Sequence, residues 1–93
     1  MNSNGNRLLG EVIKELNKAT SNYGEYHSPH EGYAIIKEEL EKLWNEIKKS
    51  PKNRNYKLME KEAIQLTAMS LRFLNDMEFM NLTCLRDKSK NGE

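Results

Sequence analysis

A stripe of polar side chains on an otherwise apolar segment carries the clearest chemical signal in this sequence. At a helical spacing of about 100° per residue, its four charged or amide members share one face roughly 80° wide; they are Glu62, Gln65, Arg72 and Asp76. Apolar residues fill most of the remaining helix surface, so the stripe is expected to point into the protein. Charges buried there need partners or a bound ligand. The stripe therefore predicts a ligand site or, alternatively, an internal network in which Arg72 pairs with Asp76 one turn away.

The preceding helix supplies a second set of charged residues that would face this stripe. Its expected core face consists of Ile36, Leu40, Leu43, Trp44 and Ile47. Glu39 and Lys42 lie at the border of that face, whereas Glu38 and Glu41 lie on the far side of the helix. Helical bundles build divalent-metal sites from glutamates on facing helices. Glu39 and Glu62 are thus candidate metal ligands, and their oxygen atoms suit magnesium or manganese.

The turn before the second helix adds two further candidates for ligand contact. His30 lies near the helix N-terminus, where free backbone N–H groups favour an anion such as phosphate. Tyr33, together with Tyr23 and Tyr26, is placed to stack on a nucleobase. Helix capping and surface packing are the alternative roles for these side chains.

Capping residues and prolines divide the chain into three predicted helices, at about 7–19, 29–49 and 55–77. Ser28 and Glu31 form a capping box at the start of the second helix. Pro51 ends it, because the residue before a proline avoids the helical region. We therefore expect a single helical domain over residues 1–78, followed by a polar C-terminal tail over residues 79–93.

The third helix is apolar on nearly every side, and a helix of this kind needs covering all round. Two partner helices from one short chain cover it poorly. Strand patterns are nearly absent from the sequence. The expected fold class is therefore an all-α bundle that oligomerisation completes, as a homodimer or a homotetramer.

Composition narrows the classes of function. The 93 residues include 15 basic and 14 acidic ones, so a net charge of +1 draws the chain neither to nucleic acid nor to an anionic membrane. Nearby glutamates dilute the basic residues between 48 and 57, which argues against a nucleic-acid patch. No apolar run approaches the roughly 18 residues of a membrane span. A single cysteine, Cys84, excludes an intrachain disulfide framework, and the lack of a secretory signal pattern predicts a cytoplasmic protein.

Two segments of the chain resemble a known enzyme family. Residues 27–77 contain HSPHEGYAIIKEELEKLWNEIKK and, further on, KEAIQLTAMSLRFLND. These segments are similar to short, stand-alone MazG-like, all-α nucleoside triphosphate pyrophosphohydrolases of phages and bacteria. In that family, E-x-x-E on one helix and E-x-x-D on the next hold magnesium, which grips a triphosphate for hydrolysis between its α- and β-phosphates. The resemblance implies a MazG-like bundle and a bacterial or phage-infected cell as the setting.

Two of the four metal ligands that the resemblance implies are replaced in this chain. By position, Glu39 and Glu62 match ligands of the family. A register through Glu38 and Glu41 would restore both glutamates of the first motif, but both lie on the expected far side of the helix. Lys42 stands in place of the second glutamate, and Gln65 stands in place of the aspartate. An ammonium repels magnesium, which needs oxygen ligands, whereas the same lysine can bind a phosphate directly. With these departures, the resemblance implies nucleotide binding without efficient hydrolysis, and magnesium that is weakly held or absent.

The leading functional hypothesis is a non-catalytic protein that holds or sequesters a phosphate-bearing nucleotide, for instance as a phage-encoded sponge for a nucleotide signal. The residues expected to line its site are Glu39, Lys42, Glu62, Gln65, Arg72, Asp76, His30 and Tyr33. One alternative is a magnesium-dependent nucleoside triphosphate pyrophosphohydrolase that releases pyrophosphate. The other is a structural or protein-interaction bundle in which the polar stripe is an internal salt-bridge network.

Overall fold

The protein is all-helical over the part of the chain that its structure, a computed structural model, describes: the backbone of residues 3–90 and the side chains of residues 4–78. The all-α prediction is confirmed there, since no strand occurs within residues 3–90. The elements, in chain order, are helix α1 (Ser3–Tyr23), helix α2 (Pro29–Ile47), a short 3₁₀ turn (Pro51–Asn53) and helix α3 (Tyr56–Lys90).

Helix α1 is longer than the expected 7–19 because its end is set by a glycine and not by its apolar stripe. Gly24 has a φ of 70°, a left-handed conformation that terminates helices, and its N–H donates to the Thr20 carbonyl over 2.9 Å. Polar residues on either side of the apolar stripe continue the helix, since none of them breaks it. Gly24 therefore fixes where the connection to α2 begins.

Helix α2 starts as the capping box predicts. The Ser28 hydroxyl accepts from the Glu31 N–H over 3.1 Å, and Pro29 occupies the first turn, where its missing N–H costs nothing. The Glu31 carboxylate reaches back one residue further than expected, to the His27 N–H at 3.4 Å. At the other end, Arg54 Nε donates to the Ile47 carbonyl over 2.9 Å, so the last turn is tied to the following connection.

Helix α3 runs on past the expected end at residue 77. Residues 79–90 are helical, whereas the sequence analysis expected a polar tail over residues 79–93. Residues 91–93 lie outside the described part of the chain. The apolar pattern weakens after residue 77, but no proline or glycine interrupts the sequence before Gly92. The predicted boundary was wrong because a loss of apolar periodicity does not by itself stop a helix.

The three helices form an open layer with α3 in the middle. Helix α3 packs against both α1 and α2, whereas no Cα atoms of α1 and α2 lie within 8 Å of each other in the described chain. Val12 and Ala19 of α1 pack with Ala68 and Met69 of α3 to form the most buried apolar cluster. Because α1 and α2 stay apart, a groove remains between them with α3 as its floor.

Helix α2 is rotated by roughly 70° from the orientation that its apolar residues predict. Leu40 and Trp44, expected in the core, are 52% and 56% exposed. Gly32 and Glu46 are buried instead. Gly32 lies so close to the Phe73 ring of α3 that a Cβ atom there would overlap it. This close approach sets the rotation, and Glu46 tolerates burial because Lys49 Nζ lies 2.9 Å from its carboxylate.

Candidate functional site

The groove between α1 and α2 contains two adjoining hollows. The first, of about 420 Å³, is the loop-side hollow, and its own lining residues are Tyr26, Glu31, Ile35, Glu38 and Arg72. The second, of about 210 Å³, is the α1-side hollow, and its own lining residues are Glu15, Lys18, Ala19, Asn22 and Gln65. Both hollows share Tyr23, Glu39, Lys42 and Met69. The groove therefore combines side chains from all three helices.

Helical periodicity explains how α3 and α2 place their side chains in the groove. Gln65, Met69 and Arg72 recur at spacings of three and four residues, so they lie along the α3 surface that floors the groove. Glu39 and Lys42, three residues apart on α2, form part of its wall. The structure thus brings together four of the residues predicted for the site: Glu39, Lys42, Gln65 and Arg72.

Two glutamates carry buried carboxylate oxygens without hydrogen-bond partners. Oε2 of Glu39 and Oε2 of Glu62 are both shielded from solvent and accept no hydrogen bond. The Glu39 side chain is 13% exposed, and its other oxygen lies 3.3 Å from Lys42 Nζ. An unsatisfied buried acceptor costs about 1–3 kcal/mol. These two oxygens are therefore acceptors that a donor from a ligand would stabilise.

Lys42 holds positive charge among the carboxylates of this wall. Its Nζ lies 3.3 Å from Glu39 and 3.9 Å from Glu38, both within one turn of α2. The hydrogen bond to Glu39 and the attraction of that carboxylate raise the pKa of Lys42, with smaller contributions from Glu38 and Glu62. The ammonium therefore neutralises the carboxylates and remains charged at neutral pH.

The residues present do not fit the magnesium site that the family resemblance implies. Among the described residues, no three His, Cys, Asp or Glu side chains are grouped so that they could hold a metal ion. Glu39 and Glu62 are the two candidate ligands, but the Lys42 ammonium is hydrogen-bonded to Glu39. A cation at that position repels a divalent ion, which needs near-octahedral oxygen coordination.

Arg72 and Asp76 hold the connection between α1 and α2 instead of pairing with each other. Arg72 Nη2 donates to the Gly24 carbonyl over 2.8 Å, and Asp76 Oδ2 accepts from the Tyr26 N–H at the same distance. Within the described chain, no ion pair joins the two side chains, so the pairing considered as the alternative to a ligand site does not form there. The sequence could not show this because the partners are backbone groups of a loop.

Tyr26 completes this loop clamp, which consists of Gly24, Tyr26, Arg72 and Asp76. Its hydroxyl donates to the Met69 carbonyl over 3.2 Å, and its side chain forms part of the loop-side hollow. Burial raises the pKa of Tyr26, while the Arg72 guanidinium opposes and the Asp76 carboxylate reinforces that rise. The phenol therefore stays protonated as a donor, and the clamp fixes one end of the groove.

Four predicted site residues lie outside the lining of the two hollows. His30 and Tyr33 are exposed on α2, with Tyr33 64% exposed, and neither lines a hollow. Asp76 is buried beneath the loop. Glu62 is half-buried next to the groove, where its charge acts on Lys42. The aromatic surface of the loop-side hollow comes from Tyr23 and Tyr26 and not from Tyr33.

Helix α1 contributes groove residues that the sequence analysis did not assign. Glu15, Lys18 and Asn22 line the α1-side hollow. Their spacing of three and four residues beside Ala19 is the signal that could have found them, since it marks a polar stripe at the border of the buried face. It was missed because the expected end of α1 at residue 19 removed Asn22 and Tyr23 from the helix.

Comparisons with known proteins complete the description of the site. The chain matches no protein-family model, no curated protein and no solved structure. Within the described residues, no helix has both the length and the apolar character needed to cross a membrane. The assignment of groove residues therefore rests on the geometry given above.

Proposed function

We propose that the protein binds a phosphate-bearing nucleotide in this groove and holds it without hydrolysing it. The observation that carries the proposal is a set of buried, unpartnered polar atoms in or beside the groove: Glu39 Oε2, Glu62 Oε2 and Arg72 Nε. Protein interiors satisfy nearly all such atoms, so each exception calls for a partner such as a water molecule, an ion or a ligand. The loop-side hollow, at about 420 Å³, has a volume typical of small-molecule sites.

The mixture of groups in the groove favours a nucleotide over a simple ion. Tyr23 and Tyr26, with Ile35 and Met69, offer aromatic and apolar surface for a base. The buried carboxylate oxygens accept hydrogen bonds from amino or hydroxyl groups, which nucleobases and riboses carry. Lysines in the same groove supply cations for phosphate. The resemblance to MazG-like proteins points to the same class of ligand.

A second candidate function uses the same unpartnered oxygens. If Glu39 and Glu62 reached a divalent cation, the protein would be a magnesium-dependent nucleoside triphosphate pyrophosphohydrolase. The unsatisfied Oε2 atoms favour this alternative, because carboxylate oxygens are the ligands that magnesium takes. The ammonium of Lys42, 3.3 Å from Glu39, argues against it. We therefore favour a protein that binds a nucleotide over one that hydrolyses it.

We propose further that the chain assembles as a homodimer or homotetramer. Large apolar side chains remain exposed on all three helices, among them Leu9, Ile13, Leu40, Trp44 and Leu74. Large apolar patches left exposed on a protein often mark its interfaces with other proteins. Another copy would cover it while leaving the polar groove open.

The test of nucleotide binding is a ligand-release experiment combined with one matched pair of variants. The protein is incubated with ribonucleoside mono- and triphosphates and cyclic dinucleotides, with magnesium or with EDTA, then separated, denatured and analysed by mass spectrometry. We expect intact nucleotide to be released in both conditions. Glu39→Gln should weaken retention, whereas Glu41→Gln, on the exposed side of α2, should leave it unchanged.

Two results would overturn the binding proposal. Monophosphate together with pyrophosphate, formed only with magnesium, would establish the pyrophosphohydrolase. Failure to retain any nucleotide in the panel, with helical circular dichroism intact, would favour the structural bundle. In that case the unpartnered atoms would be a feature of the folded core alone.

A further inference from the structure

Three side chains that carry N–H donors line the α1-side hollow without a partner in the described structure; the Glu15 carboxylate and the Tyr23 hydroxyl of the same hollow have none there either. Lys18 and Asn22 lie one turn apart on α1, and Gln65 lies opposite them on α3. None of the three makes a hydrogen bond or an ion pair among the described residues. Lys42 differs from them, because Glu38 and Glu39 already engage its ammonium. Of the two lysines among the described residues that line the groove, Lys18 is the one without a side-chain partner, so its ammonium can meet a ligand.

The donors of these side chains suit the oxygen atoms of a phosphoryl group. An ammonium offers three N–H donors, and each amide offers two more. Hydrogen bonds between ionised partners are about twice as strong as neutral ones. The hollow, of about 210 Å³, is half the volume of its neighbour, whose lining includes Tyr26 and Ile35. The two ends of the groove thus differ in chemistry as the two ends of a nucleotide do.

We infer that Lys18, Asn22 and Gln65 form the phosphate-binding end of the groove, with the base in the loop-side hollow. This inference rests on the proposed nucleotide binding and assigns an orientation to it. The ligand then lies along the groove and passes over Glu39 and Lys42 of the α2 wall, which both hollows share. Tyr23, which is 74% exposed and borders both hollows, covers the junction of base and sugar.

The charges in the groove limit how many phosphates this end accepts. Glu15 lines the same hollow as Lys18 and offsets its charge. Across both hollows the four glutamates outnumber the three cations; the residues are Glu15, Glu31, Glu38 and Glu39 against Lys18, Lys42 and Arg72. A triphosphate would bring three to four negative charges against this surplus. The groove therefore selects a nucleotide with a single phosphoryl group, linear or part of a diester, when no divalent cation is present.

Calorimetric titration in EDTA tests this orientation with the full chain. The probes are adenosine, guanosine, cytidine and uridine, each compared with its 5′-monophosphate and 5′-triphosphate. We expect the monophosphate of the preferred base to bind more tightly than either its nucleoside or its triphosphate. Lys18→Gln should weaken monophosphate binding by about tenfold or more, the loss expected of one charged hydrogen bond, and should change nucleoside binding less than twofold.

Two further variants make the test specific. Glu15→Gln removes the opposing carboxylate and should strengthen monophosphate binding, since it leaves the charge of Lys18 unbalanced. Lys37→Gln makes the same change of charge as Lys18→Gln at an exposed position of α2 outside both hollows, and should have no effect. Circular dichroism confirms that each variant remains helical.

Separate outcomes overturn the orientation and the nucleotide proposal. Equal losses for nucleoside and monophosphate in Lys18→Gln would overturn the orientation while wild-type binding still supported nucleotide recognition. Opposite signs, with Glu15→Gln weakening and Lys18→Gln strengthening binding, would show that this hollow takes a cationic group. Wild-type protein that binds none of the nucleosides or nucleotides would overturn both proposals together.

Discussion

The guanidinium of Arg72 lies 4.0 Å from the centroid of the Tyr26 ring, at the point where the loop between α1 and α2 crosses α3. The same guanidinium donates to the Gly24 carbonyl, and Asp76 accepts from the Tyr26 N–H. A single arginine thus connects the polar stripe of α3 to the wall of the groove. Arg72 therefore both lines the groove and stabilises the loop, so its replacement should affect both.

Replacement of Arg72 is expected to affect folding before it affects binding. Arg72→Ala removes a charged hydrogen bond and a cation–π contact from a side chain only 5% exposed. We expect the free energy of unfolding in urea to fall by about 2–4 kcal/mol. Arg7→Ala, which breaks the exposed 3.4 Å pair with Glu60, is the control and should cost at most about 0.5 kcal/mol. Equal effects of the two variants would contradict the loop clamp.

Gly32 should resist even the smallest substitution, because α2 approaches α3 there without room for a side chain. A Cβ atom at residue 32 would overlap the Phe73 ring, so Gly32→Ala should lower the free energy of unfolding by about 1–3 kcal/mol. Phe73→Leu in the same chain should recover part of that loss.

Gly10→Ala provides the matched control for the Gly32 variant. Gly10 lies within α1 with nothing near its missing Cβ atom, so alanine there should stabilise the helix by about 0.5–1 kcal/mol. Thermal and urea unfolding measure both variants. Stabilisation by Gly32→Ala would show that α2 packs at a greater distance from α3.

The sequence predicts the ends of the helices better than the way in which the helices pack. Ser28 caps α2 and Gly24 terminates α1 through local interactions, so both signals can be recognised in the sequence. The expected end of α1 at residue 19 nevertheless did not follow from Gly24. The orientation of α2 depends on contact between Gly32 and Phe73, which are distant in sequence. Periodicity defines an apolar face but does not decide which side of it meets the neighbouring helix, so Leu40 and Trp44 were misplaced.

The candidate site was predictable to the extent that it lies on one helix. The α3 stripe gave Gln65 and Arg72 their place in the groove, because positions on a single helix follow from spacing alone. The roles of Arg72 and Asp76 were not predictable, since their partners are the backbone atoms of a loop. Lys18 was missed because the expected end of α1 at residue 19 cut off Asn22, the residue that completes its polar stripe.

Alkaline pH should destabilise the fold in a way that depends on Tyr26. Burial, the largest cause, raises the pKa of Tyr26 above its ordinary value of 10.0, so the folded state holds the proton more tightly than the unfolded chain. The stability from this group is therefore complete below pH 10.0 and is lost as the pH rises through the raised pKa. Lys42, whose pKa is also raised, acts in the same direction.

The difference between wild type and Tyr26→Phe isolates the tyrosine part of this pH effect. The variant loses the hydrogen bond to the Met69 carbonyl and is less stable at pH 7, but its melting temperature should fall less steeply above pH 10. Melting curves between pH 7 and pH 11 measure both. Parallel curves for the two proteins would mean that Tyr26 does not titrate with folding.

Oligomer formation is expected to depend on the exposed apolar face of α2. Trp44 is 56% exposed and lies one turn from Leu40, which is 52% exposed. Trp44→Glu should reduce the mass measured by light scattering to that of a 10.9 kDa monomer while helical circular dichroism persists. Asn45→Glu adds the same charge at the next exposed residue and should leave the assembly intact. A wild-type monomer at micromolar concentration would contradict the assembly.

Introducing carboxylates at two groove positions should create a metal site between α2 and α3. Lys42→Glu combined with Gln65→Asp would place four carboxylates between α2 and α3, with Glu39 and Glu62 as the existing pair. Without metal, their mutual repulsion and the loss of the Lys42 hydrogen bond should lower the melting temperature. Magnesium or manganese should reverse that loss, because a ligand that binds only the folded state stabilises it, by about 2.7 kcal/mol at one hundred times its dissociation constant.

Wild-type protein is the reference for the metal experiment, and Lys37→Glu combined with Thr67→Asp is the control for added charge at exposed positions of the same helices. Both should show a much smaller metal-dependent shift than the groove variant, because Lys42 already neutralises Glu39 in the wild type and the control charges lie outside the groove. A shift in wild type as large as that of the groove variant would mean that Glu39 and Glu62 bind metal despite Lys42. The pyrophosphohydrolase would then be the better account of the groove, since the cation that argues against it would not exclude the metal.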